Sequence, residues 1–164
     1  MTSDLKLLTT GVYGSAEQEF FDALSRAGVD TFVDIRQRRG VRGSEYAFVN
    51  AKRLESRLGA MGIRYLHLKE LAPTQAVRDV QRQADASLGT AKRDRAHLSP
   101  EFAKAYREAC LTDYRVDDFA AAVGGAARVV CLFCVEGAPE ACHRSIASEF
   151  LARGLGATVE HLRR

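Results

Sequence analysis

The sequence predicts a three-layer, Rossmann-like α/β fold, with a mostly parallel sheet of about five strands and helices on both faces. Two observations carry that expectation. Short, near-continuous apolar runs recur at 5–12, 31–35, 63–68, 128–134 and 157–162, the pattern of strands buried on both faces. Between them stand segments with helical spacing and cap signals, so the order reads as a βα alternation with right-handed crossovers. No internal repeat or low-complexity linker interrupts the 164 residues, which read as one domain spanning 1–164.

The first run stops at Tyr13 and Gly14, and Ser15 with Gln18 predicts a helix cap ahead of Phe20, Phe21 and Leu24. Ala27-Gly28 ends that helix. The second run, Thr31 to Ile35, carries Asp34 and Arg36 at its carboxyl end. Asn50 predicts a cap for a helix through Ala60, with Leu54, Leu58 and Met61 at helical spacing, followed by Gly62 and the third run. From 69 to 98 the pattern weakens: 77–86 predicts an exposed helix, 89–97 is polar and basic, and the stretch reads as a variable, partly mobile insertion.

Ser99-Pro100-Glu101 opens a helix with Phe102, Ala105, Tyr106 and Ala109 on one face, and another helix follows at 117–123. With the first and fourth strands adjacent in an order 3-2-1-4-5, the loops at 13–15, 36–46 and 135–144 meet in a crevice at the carboxyl ends of the strands.

Hydrophobic residues are 46% and charged residues 27% of the chain, close to the globular average, which excludes disordered and fibrous classes. No membrane span and no apolar leader is legible, so the cytoplasm is the expected location. Four cysteines, at 110, 131, 134 and 142, are expected to be thiols. The net charge of +3 is modest. It is concentrated, however, in Arg36, Arg38, Arg39 and Arg42 and in Lys92, Arg93 and Arg95, two clusters that suit phosphate or a nucleic-acid partner and equally suit solvated loops.

The segment richest in chemistry runs from Cys134 through Glu136, Gly137, Pro139, Cys142, His143 and Arg144 to Ser145, between a strand and a helix. Free backbone N–H groups at a helix start attract an anion, Arg144 offers a bidentate fork, and Ser145 or His143 adds a donor. His143, Arg144 and the helix dipole would ionise Cys142 and make it a nucleophile. The architectural alternative has Cys142 packed as a small hydrophobe and Arg144 paired with Glu136 or Asp34.

A cysteine-phosphatase loop is set aside, because the position six before Arg144 is Ala138. Zinc on Cys131, Cys134, Cys142 and His143 is also set aside, since a strand points 131 and 134 to opposite faces. Gly11-x-x-Gly14 is too short for a dinucleotide fingerprint and reads as a turn permitting close approach. Tyr13 and Tyr46 suit stacking on a ring or cover for the sheet end, and His67, near the end of the third run, suits a core histidine better than a group reaching the crevice.

Taken together, Thr10-Gly11-Val12-Tyr13, the Glu19-Phe20 helix, Val33-Asp34-Ile35-Arg36, Gly62 through Leu68 with Glu70-Leu71, and Cys134-x-Glu136 with Cys142-His143-Arg144 give a chain that resembles the domain-of-unknown-function 488 family. It departs from the family pattern at Gly14 and in the arginine- and glycine-rich loop 37–44. The resemblance implies an α/β fold and gathers Asp34, Arg36, Glu136, Cys142, His143 and Arg144 as the site; it supplies no reaction and no cofactor. The expected function is binding of an anionic, phosphate-containing or nucleotide-like ligand at the carboxyl ends of the strands, touched by Arg144, Ser145, Arg36, Asp34, Glu136 and Tyr13. Thiol-dependent catalysis by Cys142 and His143 goes with that reading. Open alternatives are a non-catalytic nucleic-acid-binding module using Arg36, Arg38, Arg39 and Arg42, and a protein-interaction module using the insertion.

Overall fold

The computed structural model describes residues 4–91 and 95–163. Five parallel strands, β1 (Lys6–Thr10), β2 (Thr31–Asp34), β3 (Arg64–His67), β4 (Val129–Phe133) and β5 (Thr158–His161), form one sheet in the order β3-β2-β4-β1-β5. The expected order 3-2-1-4-5 is corrected: the first and fourth strands are neighbours, but β4 enters between β2 and β1. Its composition explains the place. Val129-Val130-Cys131-Leu132-Phe133 is apolar throughout and all but its first residue is buried, whereas β3 and β5 contain no fully buried residue and form the edges.

The helices are α1 (Glu17–Arg26), α2 (Ala51–Ala60), α3 (Gln75–Leu88), α4 (Pro100–Tyr106), which runs on into a π-helical turn at Arg107–Leu111, α5 (Val116–Val123) and α6 (His143–Leu155). Right-handed crossovers from β1 to β2 to β3 put α1 and α2 on one face, and the return through β4 to β5 puts α3 to α6 on the other. On the first face Phe20 of α1 meets Phe21, Phe32, Phe48 and Phe133 at centroid separations of 5.0, 6.3, 5.7 and 5.6 Å. All five rings are buried, each contributing about 1.5–3 kcal/mol by leaving water. On the second face α4 and α5 pack against α6.

Local signals held unevenly. Ser99 caps α4, its Oγ accepting from Phe102 N at 3.1 Å. The cap of α1 is Ala16 rather than Ser15, because Glu19 reaches back to accept from Ala16 N at 2.8 Å. Asn50 stands at the cap of α2, yet its side chain accepts instead from Val41 N at 2.7 Å and so ties down the arginine-rich loop. The helix expected to be exposed at 77–86 is α3, which buries Val77, Gln81 and Asp85; two of its three inward residues are polar, so no apolar stripe marked the face. Residues 92–94, which include Lys92 and Arg93 of the second basic cluster, lie outside the described residues.

Two glycines bring the loops after β1 and β4 together. A Cβ on Gly11 would stand 1.8 Å from Glu136 O, and one on Gly137 would stand 2.7 Å from Tyr13 O. Val12 N and Tyr13 N both donate to Val135 O at 3.0 Å. The Gly11-x-x-Gly14 turn thus serves backbone-to-backbone contact at the sheet end, as its sequence suggested. Among the described residues no helix is long and apolar enough to cross a membrane.

Candidate functional site

Because β1 and β4 are neighbours whose connections leave to opposite faces, the segments after β1, β2 and β4 converge at the carboxyl ends, as the topology requires. Ile35 N donates to Phe133 O at 3.1 Å, and Gly14 N donates to Tyr46 Oη at 2.8 Å while the Tyr13 and Tyr46 rings meet at 5.2 Å. Tyr46 is buried, so the tyrosine pair covers the sheet end.

Cys142 is the cap residue of α6 and His143 its first helical residue. The Cys142 Sγ lies 3.7 Å from His143 Nδ1, and the other ring nitrogen, Nε2, lies 3.0 Å from Ile35 O. A backbone carbonyl only accepts, so Nε2 carries a proton and Nδ1 is the nitrogen that exchanges a proton with the thiol. Tyr106 packs edge-on against the imidazole at 5.4 Å and donates to Leu71 O at 2.6 Å, which fixes the ring from its other side. Cys142 and His143 are buried, at 1% and 5% exposure.

Burial opposes ionisation of Cys142. A hydrogen bond from Cys134, the charge and hydrogen bond of His143, and the charge of Arg144 outweigh it and hold the thiol well below its ordinary value. Burial likewise opposes charging of His143, but the Cys142 thiolate, Glu136 and the Ile35 carbonyl raise its pKa. Both directions describe one thiolate–imidazolium pair. The other thiols differ: burial pushes Cys131 and Cys110 up. All four cysteines are free.

Cys134 belongs to this group. Its single proton serves two acceptors, Cys142 Sγ and Glu136 Oε2, the latter at 3.5 Å. Among the described residues, Cys134, Cys142 and His143 have ligand atoms all within 4.8 Å of one another. The earlier exclusion of zinc weighed Cys131 with Cys134. Cys131 is in register with Phe32, on the α1 face, and takes no part in the group.

Arg144 plays a different part from the expected one. It is fully buried; Nε donates to Thr9 Oγ1 at 3.2 Å, Nη1 to Glu136 O and Nη2 to Gly137 O at 3.2 Å. Its partners are backbone carbonyls and a hydroxyl, in place of the Glu136 or Asp34 carboxylate. Ser145, half-buried, donates to Cys142 O at 2.9 Å. A concavity of about 350 Å³ lined by Ser145, Ser148, Glu149, Arg153 and His161 lies between α6 and β5, away from Cys142.

Asp34 and Arg36 form a buried bidentate pair: Nε to Oδ1 at 2.9 Å and Nη2 to Oδ2 at 2.7 Å, with Nη2 also donating to Val49 O at 2.9 Å. Tyr65 donates to Asp34 at 2.7 Å; burial and the Asp34 charge raise its pKa, which keeps the phenol protonated for that bond. The Arg36 guanidinium lies over the Phe133 ring at 4.8 Å, and its Nη1 is buried with no hydrogen-bond partner among the described residues. Of the first basic cluster, only Arg38 and Arg42 are exposed.

Sequence reasoning placed Arg95 in a basic cluster and missed its internal pairing. It pairs with Asp85 at 2.6 Å and Glu136 at 3.5 Å and donates to Ala141 O at 3.3 Å, fastening the segment after α3 onto the Glu136–Cys142 loop. Leu98 N adds a bond to Glu140 O at 3.0 Å. Burial disfavours the Asp85 carboxylate, but its bonds to Arg95 and Gln81 lower its pKa all the same. No signal in a polar stretch marked Arg95 as internal.

Neither the search of curated proteins nor that of solved structures gave a match. A family model described as domain of unknown function DUF488 matches residues 17–151, a span that takes in Asp34, Arg36, Cys134, Glu136 and the Cys142-His143-Arg144 run. This α/β chain, with its cysteine–histidine pair at the sheet end, therefore belongs to the DUF488 family.

Proposed function

We propose that the protein binds an anionic, phosphate-containing or nucleotide-like ligand at the carboxyl ends of β2 and β4, and that Cys142 acts on it as a thiolate nucleophile. The observation that carries this reading is the pairing of Cys142 Sγ with an imidazole whose far nitrogen is anchored on Ile35 O, the residue before Arg36, whose Nη1 is buried with no hydrogen-bond partner among the described residues. Ile35 and Arg36 are consecutive, and the Arg36 guanidinium lies over the Phe133 ring on the α1 face, while Cys134, the next residue, turns to the other face with Cys142, so the two groups share the end of the sheet. A buried guanidinium N–H without a partner costs about 1–3 kcal/mol, which an anionic oxygen would recover. Of the two arginines that the sequence suggested for the anion, this reading keeps Arg36, because the Arg144 N–H groups are engaged within the fold.

In the chemical step the Cys142 sulfur forms a bond to the ligand's electrophilic centre. The leaving group departs with the bonding pair and takes the proton from His143 Nδ1. Water then cleaves the adduct: His143 accepts its proton and Cys142 leaves as the thiolate. Since Cys142 is almost fully covered, ligand entry requires local opening around it.

The test is thermal unfolding with inorganic phosphate and nucleoside monophosphates, against chloride at matched ionic strength. At a concentration tenfold above Kd, binding adds about 1.4 kcal/mol and raises Tm by about 3–6 °C. Arg36→Lys keeps the charge opposite Asp34 but offers no second amino group, and it is expected to lose that rise. An equal rise in Arg36→Lys, or none with any of these anions in the native protein, contradicts the assignment.

A further inference from the structure

We propose that Cys134, Cys142 and His143 form a binding site for Zn²⁺, and that the bound ion masks the Cys142 thiol. The inference uses the same residues as the preceding reading but depends on neither its ligand nor its reaction. Two sulfurs and one imidazole nitrogen, all buried, have their ligand atoms within 4.8 Å of one another. At Zn–S of about 2.3 Å and Zn–N of about 2.0 Å, ligand atoms around a tetrahedral ion stand roughly 3.5–3.8 Å apart. The Sγ–Nδ1 separation of 3.7 Å already meets this, so only the wider separations have to contract.

The surroundings suit a ligand set. His143 Nε2 is held on Ile35 O, the outer contact that orients a metal-bound imidazole and leaves Nδ1 as the coordinating atom. Two thiolates and an imidazole favour zinc over magnesium or calcium, which take oxygen ligands. Three protein ligands leave the fourth position open. Glu136, whose Oε2 lies 3.5 Å from Cys134 Sγ, stands beside the group as a carboxylate neighbour.

Charge balances at this donor set, since two thiolates neutralise one divalent ion. The entering ion displaces the thiol proton of Cys134 and the proton on Nδ1 of His143, and no oxidation or reduction occurs. Coordination occupies a Cys142 sulfur lone pair, so the zinc-bound and nucleophilic states exclude each other.

Cobalt(II) serves as the spectroscopic probe. Titration of the native protein is expected to give thiolate-to-cobalt absorption that saturates at about one ion per chain and is bleached by Zn²⁺. Cys134→Ser and Cys142→Ser are expected to lose most of the band, and Cys110→Ser to keep it. In a second arm, which needs no variant, Zn²⁺ slows iodoacetamide alkylation of Cys142 by about tenfold or more, and a chelator restores it. Absence of the cobalt band, a band that survives in Cys134→Ser and Cys142→Ser, or unaltered Cys142 alkylation overturns the proposal. The phosphate experiment is read separately: zinc protection without a phosphate effect removes the anion reading alone, and a phosphate effect without zinc protection removes the metal site alone.

Discussion

Arg144→Ala is expected to cost about 3–5 kcal/mol of folding free energy and to lower Tm by about 6–20 °C, the largest stability effect of any substitution at the site. The guanidinium is the largest fully buried side chain and joins three segments: Thr9 on β1, Glu136 and Gly137 after β4, and its own helix α6. Truncation strands the Glu136 and Gly137 carbonyls without a donor, takes one of two partners from the Thr9 hydroxyl, and leaves a cavity beside a loop held close by glycine contacts. Arg144→Lys should recover little, because one ammonium cannot reach three acceptors lying along a planar fork. Thermal unfolding followed by circular dichroism measures both variants, and a Tm within about 2 °C of the native value would contradict the architectural role.

The second large effect is on thiol reactivity. From pH 8 to pH 6 the alkylation rate of Cys142 should fall far less than that of Cys110, which drops about 100-fold. The sign follows from the directions of the shifts. A thiol whose pKa is raised loses its thiolate tenfold for each unit of pH below that pKa, whereas a thiol held well below its ordinary value remains ionised as the pH falls. Cys142 is the more deeply buried of the two, so its absolute rate reports opening as well as ionisation; the slope against pH is the informative quantity. Opening that separated Cys142 from His143 would restore the ordinary steep slope, so a flat profile reports the pair intact in the reactive state. Peptide mass spectrometry resolves the four sites, and parallel slopes at Cys142 and Cys110 would remove the ionised pair from the reactive state.

Much of the fold was legible because parallel strands announce themselves as apolar runs, and each of the five runs contains one strand. Their order was harder to read: burial separates the inner strands β1, β2 and β4 from the edges β3 and β5 but leaves the three inner ones nearly alike. The all-apolar 129–133 run marked β4 as an inner strand, and the familiar order placed it beyond β1. Caps failed where another side chain competed, as when Glu19 reached back to Ala16 or Val41 drew the Asn50 side chain away from α2.

At the site, the pairing of Cys142 with His143 was legible from adjacency at a helix start. The roles of the two arginines were not. Arg36 and Arg144 both follow a strand or open a helix at the sheet end; what separates them is the partner of each N–H, and carbonyl oxygens brought in by Gly11 and Gly137 leave no mark in a sequence pattern. Cys134 was weighed with Cys131 because they are close in sequence, while the fold pairs it with Cys142, eight positions on. Arg95 sat in a basic stretch that read as solvated, and only the polar inward face of α3, with Asp85 and Gln81, makes it an internal residue.

The central claim, an ionised thiol and an anion-binding arginine serving one ligand at the sheet end, is tested most directly by the relative rates of two alkylating reagents that differ in charge. Neutral iodoacetamide and anionic iodoacetate are to be compared at each cysteine at pH 7. Recovery of even about 1.4 kcal/mol from the Arg36 guanidinium in the transition state favours the anion tenfold. The account predicts that Cys142 reacts faster with iodoacetate, that Cys110 reacts faster with iodoacetamide, and that Arg36→Lys abolishes the preference at Cys142. Faster reaction of Cys142 with the neutral reagent, in the native protein and in Arg36→Lys alike, would contradict it.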